Sequence, residues 1–278
     1  MASMRISGVI PLRNAVDLGY PFDLAIRSMF MFCDEVVALV DPMSDDDTIA
    51  RVKAQTPRGR IGQPRPTVKQ LVIVPSAWDM TNHHGHTNCE ISVQTAKACE
   101  AATGDWILSL QADELLHEDE IEPLRKVVEI ADQKGITGIE LERLYFYGSM
   151  EKVREDWTLW LLRLFKRGHW KPDIDGAMRF DPCDSSEVRM RTQAGRIFHY
   201  SRVGDPKLIA DRVRNLDRFF HAPEKVQDGE LPPYDFGQLR KLDTYVVGHE
   251  AETADGARLM DFPLDRHPKM AREYFVRE

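Results

Sequence analysis

Two acids, Asp113 and Glu114, stand side by side just after the apolar run Trp106-Ile107-Leu108-Ser109-Leu110. Such a run, opened by a Gly104-Asp105 turn, reads as a buried parallel strand. Open α/β sheets bind ligands in the crevice beyond the carboxyl ends of their strands, so a carboxylate delivered there is placed for chemistry. It can hold Mg2+ or Mn2+, which take one or two protein carboxylates and leave their other positions to water and substrate phosphates. The same acids would also suit a helix start, because Glu118 to Arg125 reads as helical and the positive end of a helix favours negative charge. Asp41 ends a second apolar run, Glu35 to Val40, whereas Asp46 and Asp47 read as a capping cluster. Residues 51–70 carry Arg51, Lys53, Arg58, Arg60, Arg65 and Lys69 without an acid. That basic loop could attract a diphosphate or an anionic acceptor, or simply be solvated. His83, His84, His86 and Cys89 have the donor types of a zinc site but neither CxxC nor HExxH spacing, and they read instead as a polar loop lining the crevice.

The elements that must position these residues follow from periodicity. Ile6 to Pro11, Glu35 to Val40, Leu71 to Pro75 and Trp106 to Leu110 are short apolar runs, and helical patterns separate them over Tyr20 to Cys33, from Thr48 onward, and over Ile91 to Ala102. This β-α-β-α-β-α-β alternation predicts an α/β fold, a mostly parallel central sheet with helices on both faces. Beyond a helix over Glu120 to Lys134, Gly138 to Gly148 alternates like a strand and is rich in aromatics that suit an acceptor wall as well as an ordinary half-buried strand. Trp157 to Phe165 and Arg196 to Ser201 add further apolar segments. From Asp205-Pro206 the pattern changes to an amphipathic helix with Asp205 as N-cap and Pro206 at its first position. A second short helix is expected near 236–248. The expected division is a catalytic domain over 4–203 and a C-terminal helical extension over 204–278.

With 278 residues, 42% of them apolar, the chain can bury a sizeable core, and its formal charge of −8 argues against nucleic acid as a partner. Cys33, Cys89, Cys99 and Cys183 form no CxxC pair and read as reduced thiols of a cytoplasmic protein. No apolar window approaches the length of a membrane span, so membrane contact is expected to be peripheral, at the inner face.

Four pieces together carry a resemblance: Val9-Ile10-Pro11-Leu12-Arg13-Asn14, Glu35 to Asp41, Ser44-Asp45-Asp46-Asp47-Thr48, and Gly104 to Glu114. In order and spacing they resemble glycosyltransferase family 2, of GT-A fold, over roughly residues 5–203. The resemblance implies a metal-dependent, hexosyltransferase-type glycosyltransferase using a nucleotide-sugar donor. Pro11, Arg13 and Asp41 would line the nucleoside pocket, and Asp113 would hold a divalent metal (Mn or Mg) bridging the diphosphate. Gln111 stands where the first acid of the family's D-x-D motif usually stands, so that donor contact would be made by a neutral amide. A late histidine completes the metal shell in several GT-A enzymes, and His199 would be that residue; a satisfied core histidine is the other reading. An inverting transfer needs a base within reach of the acceptor hydroxyl, and the family usually employs a carboxylate. In Lys171-Pro172-Asp173-Ile174-Asp175-Gly176 the residue expected to act is Asp175, with Asp173 and Asp156 as rivals, although an Asp-Gly turn without chemistry fits the same segment. Arg163-Leu164-Phe165-Lys166-Arg167-Gly168 resembles a stretch of bacterial members that build lipopolysaccharide cores, implying a glycan or glycolipid acceptor and cell-surface polysaccharide synthesis. Two other classes stay open. A nucleotidyltransferase would want a Gly-rich phosphate loop after its first strand, which Leu12 to Gly19 is not. A non-catalytic sugar-nucleotide or partner-binding protein would tolerate Gln111.

Overall fold

The computed structural model describes residues 4–57, 69–81, 89–173, 179–220 and 258–276. Asp175, the His83-His84-His86 cluster, most of the basic loop and the helix expected near 236–248 lie outside the described residues.

The four apolar runs form β1 (Ile6–Leu12), β2 (Glu35–Val40), β3 (Gln70–Pro75) and β4 (Trp106–Ser109), all parallel, in the spatial order β3-β2-β1-β4. Between them run α1 (Phe22–Phe32), α2 (Thr48–Ala54) and α3 (Glu90–Ala101). Side chains alternate across a strand, and both faces here are covered. Ile6 and Ile10 of β1 join Val36, Ala38 and Val40 of β2 against Ala25, Ile26 and Met29 of α1. Val9, Val37, Leu39 and Ile107 pack on Ala98 of α3. Gly8 lets α1 approach closely, since a Cβ there would lie 2.8 Å from the Met29 sulfur. The amino ends of β1, β2 and the turn before β4 are tied by a buried acid. Glu35 accepts from Ser7 Oγ (2.6 Å), from Thr103 N (2.9 Å) and from Thr103 Oγ1 (3.0 Å).

The second half of the sheet is mixed. The strands are β5 (Glu114–Leu116), β6 (Gly138–Gly148), β7 (Lys152–Arg154), β8 (Leu159–Lys166) and β11 (Arg189–Val203), with α4 (Ile121–Gln133) between β5 and β6. β8 lies antiparallel between β4 and β6, and β11 runs parallel to β6 and antiparallel to β5. β9 (Trp170–Asp173) and β10 (Arg179–Pro182) form a separate hairpin. Two segments depart from their sequence-based readings. Glu155–Trp157 is a 3-10 turn ahead of β8, and the expected strand at Arg196 extends back to Arg189.

α5 (Pro206–Phe220) follows β11, and β12 (Leu259–Asp261) pairs antiparallel with β7 at the sheet's edge. α6 (Lys269–Phe275) closes the described chain. His267, just before it, is fully buried among Phe146, Phe198, Tyr200 and Phe262. Its Nε2 meets the Met150 carbonyl at 2.7 Å and its Nδ1 meets the Tyr200 hydroxyl at 2.8 Å. A carbonyl can only accept, so Nε2 carries the hydrogen and Nδ1 accepts from Tyr200. Burial holds this imidazole neutral, lowering its pKa to about 4. The last described segment is thereby anchored to β6 and β11.

Candidate functional site

The short strand β5 makes the site. It pairs Leu115 with Phe198 and Glu114 with His199, and Tyr200 N donates to the Asp113 carbonyl at 2.9 Å. This pairing carries His199 to Asp113, with Nε2 3.3 Å from Oδ1 and both side chains nearly buried. Burial works to raise the Asp113 pKa, but the neighbouring His199 and Arg212 outweigh it and hold the carboxyl below the usual aspartate range. The adjacent acid does something else. Glu114 is wholly buried, accepts from Arg163 Nη2 at 2.6 Å, and accepts from Gln111 N at 2.9 Å. The paired carboxylates therefore divide, Asp113 meeting His199 and Glu114 meeting Arg163, and neither caps a helix. His117 fills that role, accepting from Asp119 N at 3.1 Å.

The turn after β1 lies at the carboxyl end of the same parallel strands. Arg13 Nε donates to Asp41 Oδ2 at 2.9 Å, and Asp41 Oδ1 accepts from Met43 N. Asn14 adopts a positive φ of 45°, a conformation asparagine tolerates better than most residues. Asn14 N donates to Ser44 Oγ, while Asp45 N donates to Asn14 Oδ1. Asp46 Oδ2 accepts from the Val16 and Asp17 amides, and Thr48 Oγ1 accepts from Ala15 N. Asp46, one of the two acids that read as a helix cap, thus staples the β1 turn to the β2 turn. Asp46 also accepts from Thr48 N at the start of α2. Pro11, still within β1, is partly exposed beside Leu39.

Arg212 of α5 completes the arrangement. Its guanidinium donates to the carbonyls of Leu18 (2.7 Å), Ser201 (3.2 Å) and Gly19, and it lies 4.9 Å over the Tyr20 ring. Gly19 has φ +62°, a conformation that strains other residues, and a Cβ there would stand 2.7 Å from Leu208 Cδ1 of α5. Burial raises the Tyr20 pKa, and Asp113 adds to the rise while Arg212 and Arg202 oppose it. Tyr145 stands against His199, ring centres 4.8 Å apart, and its hydroxyl accepts from Ser201 Oγ and Arg202 Nε.

The rival bases are held differently. Asp156 takes both Arg154 Nε (2.8 Å) and Nη2 (2.9 Å), and Asp173 of β9 lies 3.7 Å from Arg179. Sequence reasoning missed Tyr20, Arg202 and Arg212. A cation in an amphipathic helix gives no sequence signal distinguishing a solvated face from a buried latch.

A divalent metal fits this site in donor chemistry. Asp113 offers a carboxylate and His199 an imidazole, Nδ1 of His199 is buried without a hydrogen-bond partner, and Mn2+ accepts both donor types. Among the described residues no group of three or more His, Cys, Asp or Glu side chains converges, so the protein's share of a shell would be small.

No protein-family model matches the chain, and no curated protein matches it. Among solved structures it is similar to S. aureus TarS 1-349, with 12% identity and a TM-score of 0.42 over 87% of this chain and 71% of that one. It is also similar to the mannosyltransferase PcManGT from Pyrobaculum calidifontis in complex with GDP-Man and Mn2+, with 15% identity and a TM-score of 0.43 over 88% and 70% of the two chains. Glucosyl-3-phosphoglycerate synthase from Mycobacterium tuberculosis aligns at 17% identity and a TM-score of 0.33, over 51% of this chain and 44% of that one. At this distance an assignment of function rests on the residues of the chain itself.

Proposed function

We propose that the chain is a glycosyltransferase of GT-A type, moving a sugar from a nucleoside-diphosphate-sugar to a hydroxyl of a glycan or glycolipid, with inversion. One observation supports this most. Asp113, beyond the carboxyl end of β4, meets His199, remote in sequence, and the Arg13–Asp41 pair follows the carboxyl ends of the neighbouring parallel strands β1 and β2. That is where open α/β sheets take ligands. In this reading Arg13, Asp41 and Pro11 border the nucleoside, and Gln111 contributes an amide. Asp113 and His199 would hold Mn2+ or Mg2+, which supplies positive charge to the departing diphosphate. The chain's own part is to place donor and acceptor in one crevice and to take the acceptor proton on a carboxylate. Asp175 is assigned that role. Asp156, with both oxygens engaged by Arg154, is better suited to accepting hydrogen bonds. No helix among the described residues is long and apolar enough to cross a membrane. Contact with a membrane-borne acceptor would therefore be peripheral in this reading.

The test is nucleotide release from UDP-, GDP-, dTDP- and CMP-sugars, with and without glycan acceptors, by wild type and by Asp113→Ala. Metal-dependent release from one donor, abolished in the variant, is the expected result. Normal turnover by Asp113→Ala would reject the assignment. The non-catalytic reading, which Gln111 favours, predicts donor binding with no release by either protein.

A further inference from the structure

Tyr20 follows Gly19 in the turn after β1, precedes Pro21 at the start of α1, and is only partly buried. Three contacts fix it. Its backbone N donates to the Ala15 carbonyl at 2.9 Å, and its ring packs against the core that β1, β2 and α1 share. The Arg212 guanidinium, tied to the carbonyls of Leu18, Gly19 and Ser201, covers the ring at 4.9 Å. The hydroxyl is held differently. Among the described residues it has no hydrogen-bond partner, yet Asp113, Arg212, Arg202 and Tyr145 all act on it electrostatically. These four come from the β4–β5 turn, α5, β11 and β6, so the hydroxyl lies where the elements that carry the Asp113–His199 pair converge.

Stability does not explain this hydroxyl. A polar group drawn partly out of water without a partner costs free energy, and phenylalanine would fill the same space under Arg212 without that cost. The arrangement suits a ligand that brings an acceptor oxygen of its own. Burial first, and then the Asp113 carboxylate, keep the phenol protonated, so it is an O–H donor; Arg212 and Arg202 polarise it toward donation. An anionic oxygen is the acceptor to which such a donor bonds most strongly, and the two arginines add positive charge to its surroundings.

We propose that the Tyr20 hydroxyl donates a hydrogen bond to the diphosphate of the nucleotide-sugar, on the oxygen that leaves the anomeric carbon. The inference rests on the glycosyl-transfer reading of the Asp113–His199 site. As the bond between the anomeric carbon and that oxygen breaks, its electron pair stays on the oxygen and the negative charge there grows. The acceptor oxygen bonds to the carbon and yields its proton to the carboxylate base, while Tyr20 keeps its own. A donor aimed at the departing oxygen is stronger in the transition state than in the ground state, so its loss lowers kcat as well as binding.

Tyr20→Phe keeps the ring under Arg212 and removes only the hydroxyl. UDP, GDP and dTDP are titrated calorimetrically with Mn2+ into the full chain, wild type and variant, and urea unfolding is followed for both without nucleotide. The nucleoside diphosphate that wild type takes should bind the variant about tenfold more weakly, and kcat for its sugar should fall by about tenfold or more. The unfolding midpoint should be no lower than that of wild type, since no partner is lost. Equal affinity in the two proteins overturns the proposal and leaves the transferase reading intact. A midpoint lowered together with the affinity also overturns it, because the hydroxyl would then be holding the fold. Wild type that binds none of the three diphosphates removes the transferase reading and this proposal with it.

Discussion

Replacing Arg163 by methionine should destabilise the protein severely, and replacing Glu114 by glutamine in the same chain should restore much of the loss. Both side chains are wholly buried, 2.6 Å apart, and Glu114 has Gln111 N as a further donor at 2.9 Å. Methionine leaves a carboxylate in the core with one backbone amide, a change that typically costs about 3–5 kcal/mol. The lower end is expected here. Arg163 Nε and Nη1 are themselves buried without partners, so the native pair already bears an uncompensated cost that methionine removes. A loss of about 3 kcal/mol is large against the roughly 5–15 kcal/mol by which domains are stable. Glutamine at 114 removes the charge while its carbonyl still accepts from Gln111 N. The double variant should therefore recover about 2 kcal/mol relative to Arg163→Met. Equilibrium unfolding in urea, with m-values checked for constancy, measures all four corners of the cycle. A cost below about 1 kcal/mol for Arg163→Met, or a double variant no more stable than the single, would show that the pair is not buried and coupled in this way.

Two further outcomes follow from the anchors on either side of the site. His267 has its pKa lowered to about 4 in the folded protein, against about 6.5 when unfolded, so the unfolded chain binds more protons between these values. Stability should fall by about 2–3 kcal/mol as pH drops from 6.5 to 4, and His267→Gln should flatten that part of a urea-midpoint profile. An unchanged profile in the variant would place the titration elsewhere. Arg212→Met removes donors from the carbonyls of Leu18, Gly19 and Ser201, and by leaving them unpaired should cost about 2–3 kcal/mol. Hydrogen exchange should accelerate in the turn at 14–20 while β2 stays protected, and uniform acceleration across the sheet would argue against a local latch.

Sequence carried the first half of the fold well. β2 and β6 occur with the bounds that their apolar patterns set, and α1 and α3 differ from expectation by a residue or two at their ends, where fraying turns blur any pattern. What stayed hidden is the tertiary pairing. β5 is too short to show a period, and its acid Glu114 resembles a ligand until Arg163 appears beside it in the core. The candidate site was legible in part for the same reason. Asp113 stood out by its place after an apolar run, and His199 by resemblance, but the register that joins them belongs to β11. Arg212 and Tyr20 were invisible because their roles consist entirely of long-range contacts.

In the proposed function Asp113 and His199 hold a metal for a nucleoside diphosphate. The most direct test is calorimetric titration of UDP and GDP into wild type, Asp113→Asn and His199→Ala, each with Mn2+ and with EDTA. One nucleotide should bind wild type only with Mn2+. Asp113→Asn, which keeps the size of the side chain and loses its charge, should weaken that binding by at least about tenfold, or 1.4 kcal/mol. Equal, Mn2+-dependent affinity in wild type and both variants would contradict it.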